Sequence, residues 1–259
     1  MPPTLEEIKI MALKAGDILR AGYGQVHQVE MKGLTDPVTE VDKRSEEYLV
    51  STIQSNYPDH SIVAEESGLH RGTNGACWYV DPLDGTVNFS HGVPIFSVSI
   101  AYAVDGIVQL GAVYDPMLDE MFAAEKGKGA WLNDRRLKVS QTTELIRSLS
   151  VTGFPYDQSS AEMRRALELF NRFSLQAQAC RRLGSAALDM CYVAAGRLDI
   201  YFEIQVKSYD IAAGLLMVQE AGGVVSTFDG SSDLISRPTS IAAANPILQP
   251  RALQVIREA

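Results

Sequence analysis

The Asp105-Gly106 pair constrains the fold more than any other feature, because it lies between two long apolar segments, residues 96–104 and 107–114. Asp-Gly between apolar runs is the strongest short-range signal for a two-residue β-hairpin, which joins antiparallel strands. A further strand near residues 120–124 and the turn at Gly127-Lys128-Gly129 continue the pattern. The first half is therefore predicted to contain an antiparallel sheet.

From about Leu145 the pattern changes to alternating strands and helices, which is typical of a layered α/β arrangement. Strands are predicted at residues 149–152, 179–182, 198–204 and 224–228, and helices at residues 161–173, 185–195 and 210–221. No Pro, Gly or Ser linker marks the change. We therefore expect two tightly fused halves, an N-terminal α+β half over residues 1–145 and a C-terminal α/β half over residues 146–259.

Two helices are predicted near the N-terminus. Thr4 and Glu7 have the spacing of a capping box, and apolar residues then recur on one helical face. A second helix is expected to begin near Thr39, with Asp42 in its first turn, and to end before Pro58. The first helix is expected to pack on a sheet, and the early acids of the second suit the helix dipole.

The net charge of the chain limits which classes of molecule it is expected to bind. The chain has 32 acidic and 23 basic residues, a formal charge of -9, which argues against nucleic-acid binding. The acids within residues 1–19 do not fit a signal peptide, and the apolar stretch at residues 93–104 is too short to span a bilayer. We expect a cytoplasmic protein without membrane contact. The scattered histidines, His27, His60, His70 and His91, do not suggest a zinc site.

Carboxylates follow the ends of predicted strands. Asp81-Pro82-Leu83-Asp84-Gly85-Thr86 follows one apolar segment, and Glu65-Glu66 follows another. Taken alone, the hexapeptide fits a plain turn, the glutamate pair fits solvated surface, and Asp42 and Asp210 fit helix caps. Their joint occurrence favours one shared site for hard cations, because Mg²⁺ prefers oxygen ligands and keeps positions for water and phosphate.

These elements resemble, in order and spacing, the signatures of the inositol monophosphatase family. The resemblance covers most of the chain. Its most specific parts are Asp-Pro-Leu-Asp-Gly-Thr at residues 81–86 and Asp-Ile-Ala-Ala-Gly at residues 210–214. It also includes Thr39 to Asp42, residues 64–67, 98–101 and 114–116, Gly184-Ser185-Ala186-Ala187, and Glu220-Ala221-Gly222-Gly223.

The resemblance implies the αβαβα sandwich of sugar phosphatases, with a site between the two halves. It implies Mg²⁺ held by Glu65, Asp81, Asp84, Asp210 and the carbonyl of Leu83. Thr86, hydrogen-bonded to Asp42, would position or help deprotonate the attacking water, with Glu65 in the catalytic set. The amides of Gly85 and Thr86 would contact phosphate. The polyol pocket would be formed by Ser185, Ala186, Glu203 and Asp210.

Counting charges predicts the number of ions. Glu65, Asp81, Asp84 and Asp210 carry four negative charges, which two Mg²⁺ ions would neutralise on paper. A phosphate dianion would then meet no surplus positive charge. Two unit charges about 4 Å apart interact by roughly 4 kcal/mol at an effective dielectric of about 20, so an uncompensated dianion would be strongly disfavoured. We therefore expect a third cation to enter with the substrate. No GxSxG, GxxxxGK[ST] or HExxH motif indicates another hydrolase or an NTPase.

The sequence indicates the substrate less firmly. The leading prediction is Mg²⁺-dependent hydrolysis of inositol 1-phosphate or a similar small polyol or sugar phosphate. Histidinol phosphate, fructose 1,6-bisphosphate and 3′-phosphoadenosine compounds are alternatives, as is a regulatory role in the transcription machinery. Tyr209 replaces the family's usual Trp and Ser185 its usual Thr. The resemblance also implies lithium sensitivity and a homodimer.

Overall fold

The computed structural model describes residues 2–25, 29–236 and 239–258, so His27 lies outside the described residues. The helices are α1 (Leu5–Gly22), α2 (Glu40–Asn56), α3 (Thr86–Ser90), α4 (Ala161–Gln176), α5 (Ala186–Ala194), α6 (Ser208–Glu220) and α7 (Gln249–Glu258). The strands are β1 (Val29–Met31), β2 (Pro37–Thr39), β3 (Ser61–Ala64), β4 (Gly68–His70), β5 (Ala76–Asp84), β6 (Ser97–Val104), β7 (Ile107–Asp115), β8 (Glu120–Glu125), β9 (Gly129–Leu132), β10 (Arg135–Arg136), β11 (Leu149–Thr152), β12 (Ala179–Arg181), β13 (Ile200–Val206), β14 (Val224–Thr227) and β15 (Thr239–Ala244).

The first sheet has eight strands in the order β10-β9-β8-β7-β6-β5-β3-β4. Its ladders are antiparallel except for β3 beside β5, which run parallel. The predicted hairpin joins β6 to β7, and Val104 pairs with Ile107 across it. Asp105 and Gly106 both have positive φ, 50° and 76°, as a turn matching the twist of the strands requires. The antiparallel first half is confirmed.

The second sheet has five strands in the order β12-β11-β13-β15-β14. β11 is parallel to both of its neighbours, whereas β15 is antiparallel to β13 and to β14. The connection from β11 to β12 passes through α4, and the connection to β13 passes through α5. Alternation of strands and helices in this half is therefore confirmed. The division of the chain at residue 145 stays a prediction.

The two sheets and their helices form five layers, which confirms the αβαβα fold. α1 and α2 cover one face of the first sheet with a core that includes Leu19, Leu49 and Trp78. α5 and α6 fill the space between the sheets. α4 and α7 cover the outer face of the second sheet, where Phe173 stacks on Phe202. Because side chains alternate along β5, Trp78 packs in the core beneath α1 and α2, and Tyr79 packs in the core between the two sheets.

Two boundaries differ from the sequence prediction in ways that affect the site. β5 does not stop before Asp81 but continues to Asp84, with a register shift between these two residues. The irregularity is what lets a strand carry Pro82 near its end. α6 begins at Ser208 rather than at Asp210, which places Asp210 in the first turn of the helix.

Several short elements were not predicted from the sequence: β1, β2, β4, β10, β15 and α7. None of the described helices combines the length and apolar character needed to cross a bilayer.

Candidate active site

Four of the predicted acids line one cavity of about 350 Å³, between the first sheet and the N-termini of α5 and α6. They are Glu65, Asp81, Asp84 and Asp210, and Leu83, Gly85 and Thr86 lie on the same wall. The predicted alcohol-binding residues Ser185, Ala186 and Glu203 line the same cavity. The volume is in the range of small-ligand sites.

Strand register brings Glu65 and Asp81 together. β3 and β5 are parallel, and Ala64 pairs with Val80. The next residue of each strand therefore emerges at the same edge of the sheet. The amide of Glu65 donates to the carbonyl of Val80 at 3.1 Å, which fixes this alignment.

Asp84 is held by the N-terminus of α5. Its Oδ2 accepts hydrogen bonds from Ser185 Oγ at 2.6 Å and from the amide of Ala187 at 2.7 Å. Its Oδ1 accepts one from the amide of Ala186 at 3.2 Å. A carboxylate is favoured there, because the free amides and the helix dipole both stabilise negative charge. This contact joins the end of β5 in the first half to a helix of the second.

Asp210 reaches the cavity from the first turn of α6. Its Oδ2 accepts a hydrogen bond from the amide of Lys207 at 2.6 Å. Ser99, which pairs with Asp81 in the sheet, donates to the carbonyl of Tyr209 at 3.5 Å. The start of α6 is therefore packed beside the strand edge that carries Asp81.

Asp42 and Thr86 form the hydrogen bond that the resemblance implies. Thr86 Oγ1 lies 2.9 Å from Asp42 Oδ1 and 3.1 Å from the carbonyl oxygen of Leu83. Asp42 is completely buried, and its Oδ2 accepts from the amide of Thr39 at 3.0 Å and from the Thr39 hydroxyl. The capping box of α2 thus orients Asp42 toward Thr86.

Lys32 places a positive charge among the acids. Its Nζ lies 2.9 Å from Glu65 Oε1 and 2.9 Å from Glu66 Oε1. Lys32 lies in the segment between β1 and β2, where its amide bonds to the carbonyl of Asp36 at 2.8 Å. The ammonium group therefore partly neutralises Glu65 and its neighbour.

Burial raises the pKa values of the acids. The pKa of Glu65 rises to about 7, an effect that Lys32 opposes. The pKa of Asp84 rises to about 6, and its donors at α5 oppose the effect of burial. Burial, and then the neighbouring carboxylates, hold the pKa values of Asp81 and Asp210 well above their usual range. Clustered like charges at a buried site favour either protons or cations.

The donor set fits Mg²⁺ in its chemistry, because it consists of carboxylate and carbonyl oxygens around a cavity open to water. Glu65, Asp81, Asp84, Asp210 and the Leu83 carbonyl would hold it. Among the described residues no three acids, histidines or cysteines are already arranged around a common ion position. The contacts explain this, since Asp84 and Asp210 face helix amides and Glu65 faces Lys32.

The alcohol side of the cavity contains Glu203. Its Oε2 accepts a hydrogen bond from Tyr201 at 2.9 Å, and burial raises its pKa to about 7. Its carboxylate lies against Gly153, where an added Cβ would be 2.2 Å from Oε1. Glycine at position 153 is therefore required for Glu203 to occupy this place.

Lys32, Tyr156, Arg182 and Asp189 also line the cavity and were not predicted from the sequence. Three of them lie in segments with no recognisable motif. Asp189 could have been found, because it is an acid one helical turn after Ser185 in an otherwise apolar helix.

Comparison with known proteins identifies relatives over nearly the whole chain. The sequence profile of the inositol monophosphatase family matches residues 3–259. A curated relative, Nus factor SuhB of Pasteurella multocida (strain Pm70), is 44% identical over 252 residues, which cover 96% of this chain and 94% of that protein. Inositol-1-monophosphatase of Mesorhizobium japonicum is 39% identical over 250 residues, with coverage of 95% and 93%.

Solved structures have the same fold. The crystal structure of the extragenic suppressor protein SuhB from Bartonella henselae superimposes with a TM-score of 0.92 at 36% sequence identity. The match covers 97% of each chain.

Proposed function

Because the chain belongs to the inositol monophosphatase family, we propose that it is a Mg²⁺-dependent phosphomonoesterase acting on a small polyol or sugar phosphate. One observation carries this proposal: four carboxylates from three different parts of the chain line one cavity with the Thr86–Asp42 pair. Membership of the family supports a phosphatase activity, and the contacts of the cavity support the substrate class and the residue roles proposed below.

Thr86 and Asp42 prepare the attacking water. The Thr86 hydroxyl donates to Asp42, so its lone pairs remain available to accept a hydrogen bond from water. A proton taken from that water at Oγ1 can pass to Oδ1 of Asp42, 2.9 Å away. The water oxygen then bonds to phosphorus, the ester P–O bond breaks, and the alcohol leaves with a proton from solvent. When bound, Mg²⁺ supplies Lewis-acid stabilisation of the negative charge.

Charge requires more than one ion. The acids that line the cavity, Asp36, Glu65, Asp81, Asp84, Asp157, Asp189, Glu203 and Asp210, outnumber the bases Lys32, Arg182 and Lys207. A phosphate dianion would be repelled by this lining. We therefore propose two Mg²⁺ ions at the carboxylates and a third that enters with the substrate.

Inositol 1-phosphate is the substrate that we propose first. Glu203 is a half-buried acceptor that lines the cavity, and a relative with the name inositol-1-monophosphatase is 39% identical. Glu203→Gln is expected to lower kcat/KM for inositol 1-phosphate more than for p-nitrophenyl phosphate, because only inositol 1-phosphate has hydroxyl groups that can donate hydrogen bonds to Glu203. Equal losses on both substrates would contradict this role. Histidinol phosphate, fructose 1,6-bisphosphate and 3′-phosphoadenosine compounds remain the alternatives to include in the assay.

The test is phosphate release from this panel with Mg²⁺ present and after treatment with EDTA. We expect turnover with Mg²⁺, loss with EDTA, and inhibition by Ca²⁺, whose coordination is larger and looser. Asp84→Asn should lower kcat strongly, whereas Asp134→Asn, at an exposed turn outside the cavity, should not. Full turnover in metal-free buffer would contradict the mechanism.

A second candidate function is a role in the transcription machinery, which the relatives with the name Nus factor SuhB favour. Such a role can coexist with catalysis. Capture of RNA polymerase subunits from lysate by the tagged chain, equally by its Asp84→Asn variant, would support a role independent of phosphatase activity. No capture by either protein would contradict it. Cytoplasmic location, a homodimer and the absence of nucleic-acid binding remain predictions.

A further inference from the structure

Asp189 is a buried acid on the cavity wall that no step of the proposed mechanism uses. It lies in the first part of α5 and is 1% exposed. It lines the same cavity as Ser185 and Glu203. Its Oδ1 has no hydrogen-bond partner among the described residues.

The other acids of the cavity have protein donors. Asp84 accepts from α5, Asp210 from the amide of Lys207, and Glu203 from Tyr201. Buried polar groups are almost always hydrogen-bonded, because an unmade bond leaves the full cost of desolvation. Asp189 lines the cavity, so a group bound there is the candidate donor for this carboxyl group.

Helix geometry places Asp189 on the alcohol side. Ser185 is the N-cap of α5, and Asp189 lies four residues later, so both are on the same face of the helix. Burial holds the pKa of Asp189 well above its usual range, the negative charges of Glu203 and Asp84 add to this effect, and Arg182 opposes it. Two acids, Asp189 and Glu203, thus line the cavity together with the predicted alcohol-binding residues Ser185 and Ala186.

We propose that Asp189 is a specificity-determining residue that hydrogen-bonds a hydroxyl of the alcohol half of the substrate, next to Glu203. This inference rests on the proposed phosphatase function and adds a residue that recognises the alcohol half of the substrate. Carboxyl groups at this wall favour alcohols that carry several hydroxyls over apolar leaving groups, because each hydroxyl supplies the donor that the wall lacks.

The test combines a change in the protein with a change in the substrate. Wild type, Asp189→Leu and Asp189→Asn are assayed with Mg²⁺ on inositol 1-phosphate and on each of its monodeoxy analogues. For wild type, removal of one particular hydroxyl is expected to lower kcat/KM by about tenfold or more. For Asp189→Leu, that hydroxyl should no longer matter, so the ratio of the two kcat/KM values approaches one. Asp189→Asn, which keeps an acceptor oxygen, should retain part of the discrimination.

Asp115 provides a matched control. It is also 1% exposed and also has an oxygen without a partner among the described residues, Oδ2, but it does not line the cavity. Asp115→Asn should leave the substrate ratio unchanged if the inference is right, whatever its effect on melting temperature. Equal losses on all analogues for both Asp189 variants would overturn the inference and leave a structural role. If wild type releases no phosphate from any ester, the proposed function itself falls.

Discussion

Thr86 has one hydroxyl proton and two acceptors within hydrogen-bond distance, Asp42 Oδ1 at 2.9 Å and the Leu83 carbonyl at 3.1 Å. Burial raises the pKa of Asp42, and the hydrogen bonds from Thr39 and Thr86 oppose this rise. A buried carboxylate that is held by these donors can receive a proton without reorganising the site. The chemistry at this position therefore depends on the hydroxyl, not on the size of the side chain.

Thr86→Ala is expected to lower kcat by about 10² or more, the usual contribution of a positioned proton-transfer group. Thr86→Ser keeps the hydroxyl and should retain most of the activity. Asp42→Asn should resemble Thr86→Ala if the two act together, and the double variant should be little worse than either one. Steady-state kinetics measures all four, and strictly additive losses would argue against the pair.

Glu203 makes stability depend on pH in the metal-free protein. Its pKa rises from 4.5 to about 7 on folding. Between these values the folded state holds a proton that the unfolded state has lost, so this group's contribution to stability decreases as pH rises from about 4.5 to about 7. Glu203→Gln cannot ionise and should therefore gain melting temperature relative to wild type across this window. Thermal melts in EDTA at pH 5 and pH 8 measure the difference, and a constant difference would contradict the assignment.

At the scale of elements, the segment between β1 and β2 brings a cation to the end of β3. The Lys32 ammonium contacts Glu65 and Glu66, and the Thr35 hydroxyl donates to the carbonyl of Tyr156 at 2.8 Å. The segment therefore contacts both sides of the cavity. Its ion pairs are only partly exposed, so they are screened less than surface pairs.

Lys32→Met is expected to lower the melting temperature of the metal-free protein, because Glu65 and Glu66 lose their compensating charge. The rise in melting temperature on adding Mg²⁺ should then be larger than in wild type, since the ion meets no competing ammonium. Lys43→Met is the control, because the Lys43–Glu30 pair is exposed on both sides. Differential scanning fluorimetry with and without Mg²⁺ measures this, and an unchanged Mg²⁺ shift would show that Lys32 does not compete with the ion.

At the scale of the whole molecule, the site depends on how closely α6 approaches the first sheet. An added Cβ at Gly111 on β7 would lie 3.1 Å from the Cα of Ala213 on α6. The same helix presents Asp210 to the carboxylates of β5. The contact between Gly111 and Ala213 therefore affects both the distance of α6 from the first sheet and the distance of Asp210 from the carboxylates of β5.

Gly111→Val should separate the two layers, with a loss of stability of about 1 to 3 kcal/mol, as is usual for overpacking. It should also weaken Mg²⁺ binding, although residue 111 does not line the cavity. Calorimetric titration with Mg²⁺ measures the second effect. A destabilised variant with wild-type Mg²⁺ affinity would show that the site tolerates movement of α6.

Local patterns predicted the elements that carry the site. Asp105-Gly106 predicted its hairpin because a two-residue turn is decided by its own backbone angles. Thr39 and Asp42 predicted the start of α2 because a capping box is a local set of hydrogen bonds. The short strands β1, β2 and β4 were not predicted, because three-residue strands have no periodicity to recognise.

The sequence by itself determined which acids are available and that they follow strand ends or helix starts. Only the tertiary structure decided that Lys32 contacts Glu65, that Asp84 accepts from α5, and that Oδ1 of Asp189 has no partner among the described residues. The partners in the first two contacts are 33 and at least 101 residues apart along the chain. Side-chain partners at such separations are set by how the layers pack, and packing is a property of the whole chain that no local pattern contains.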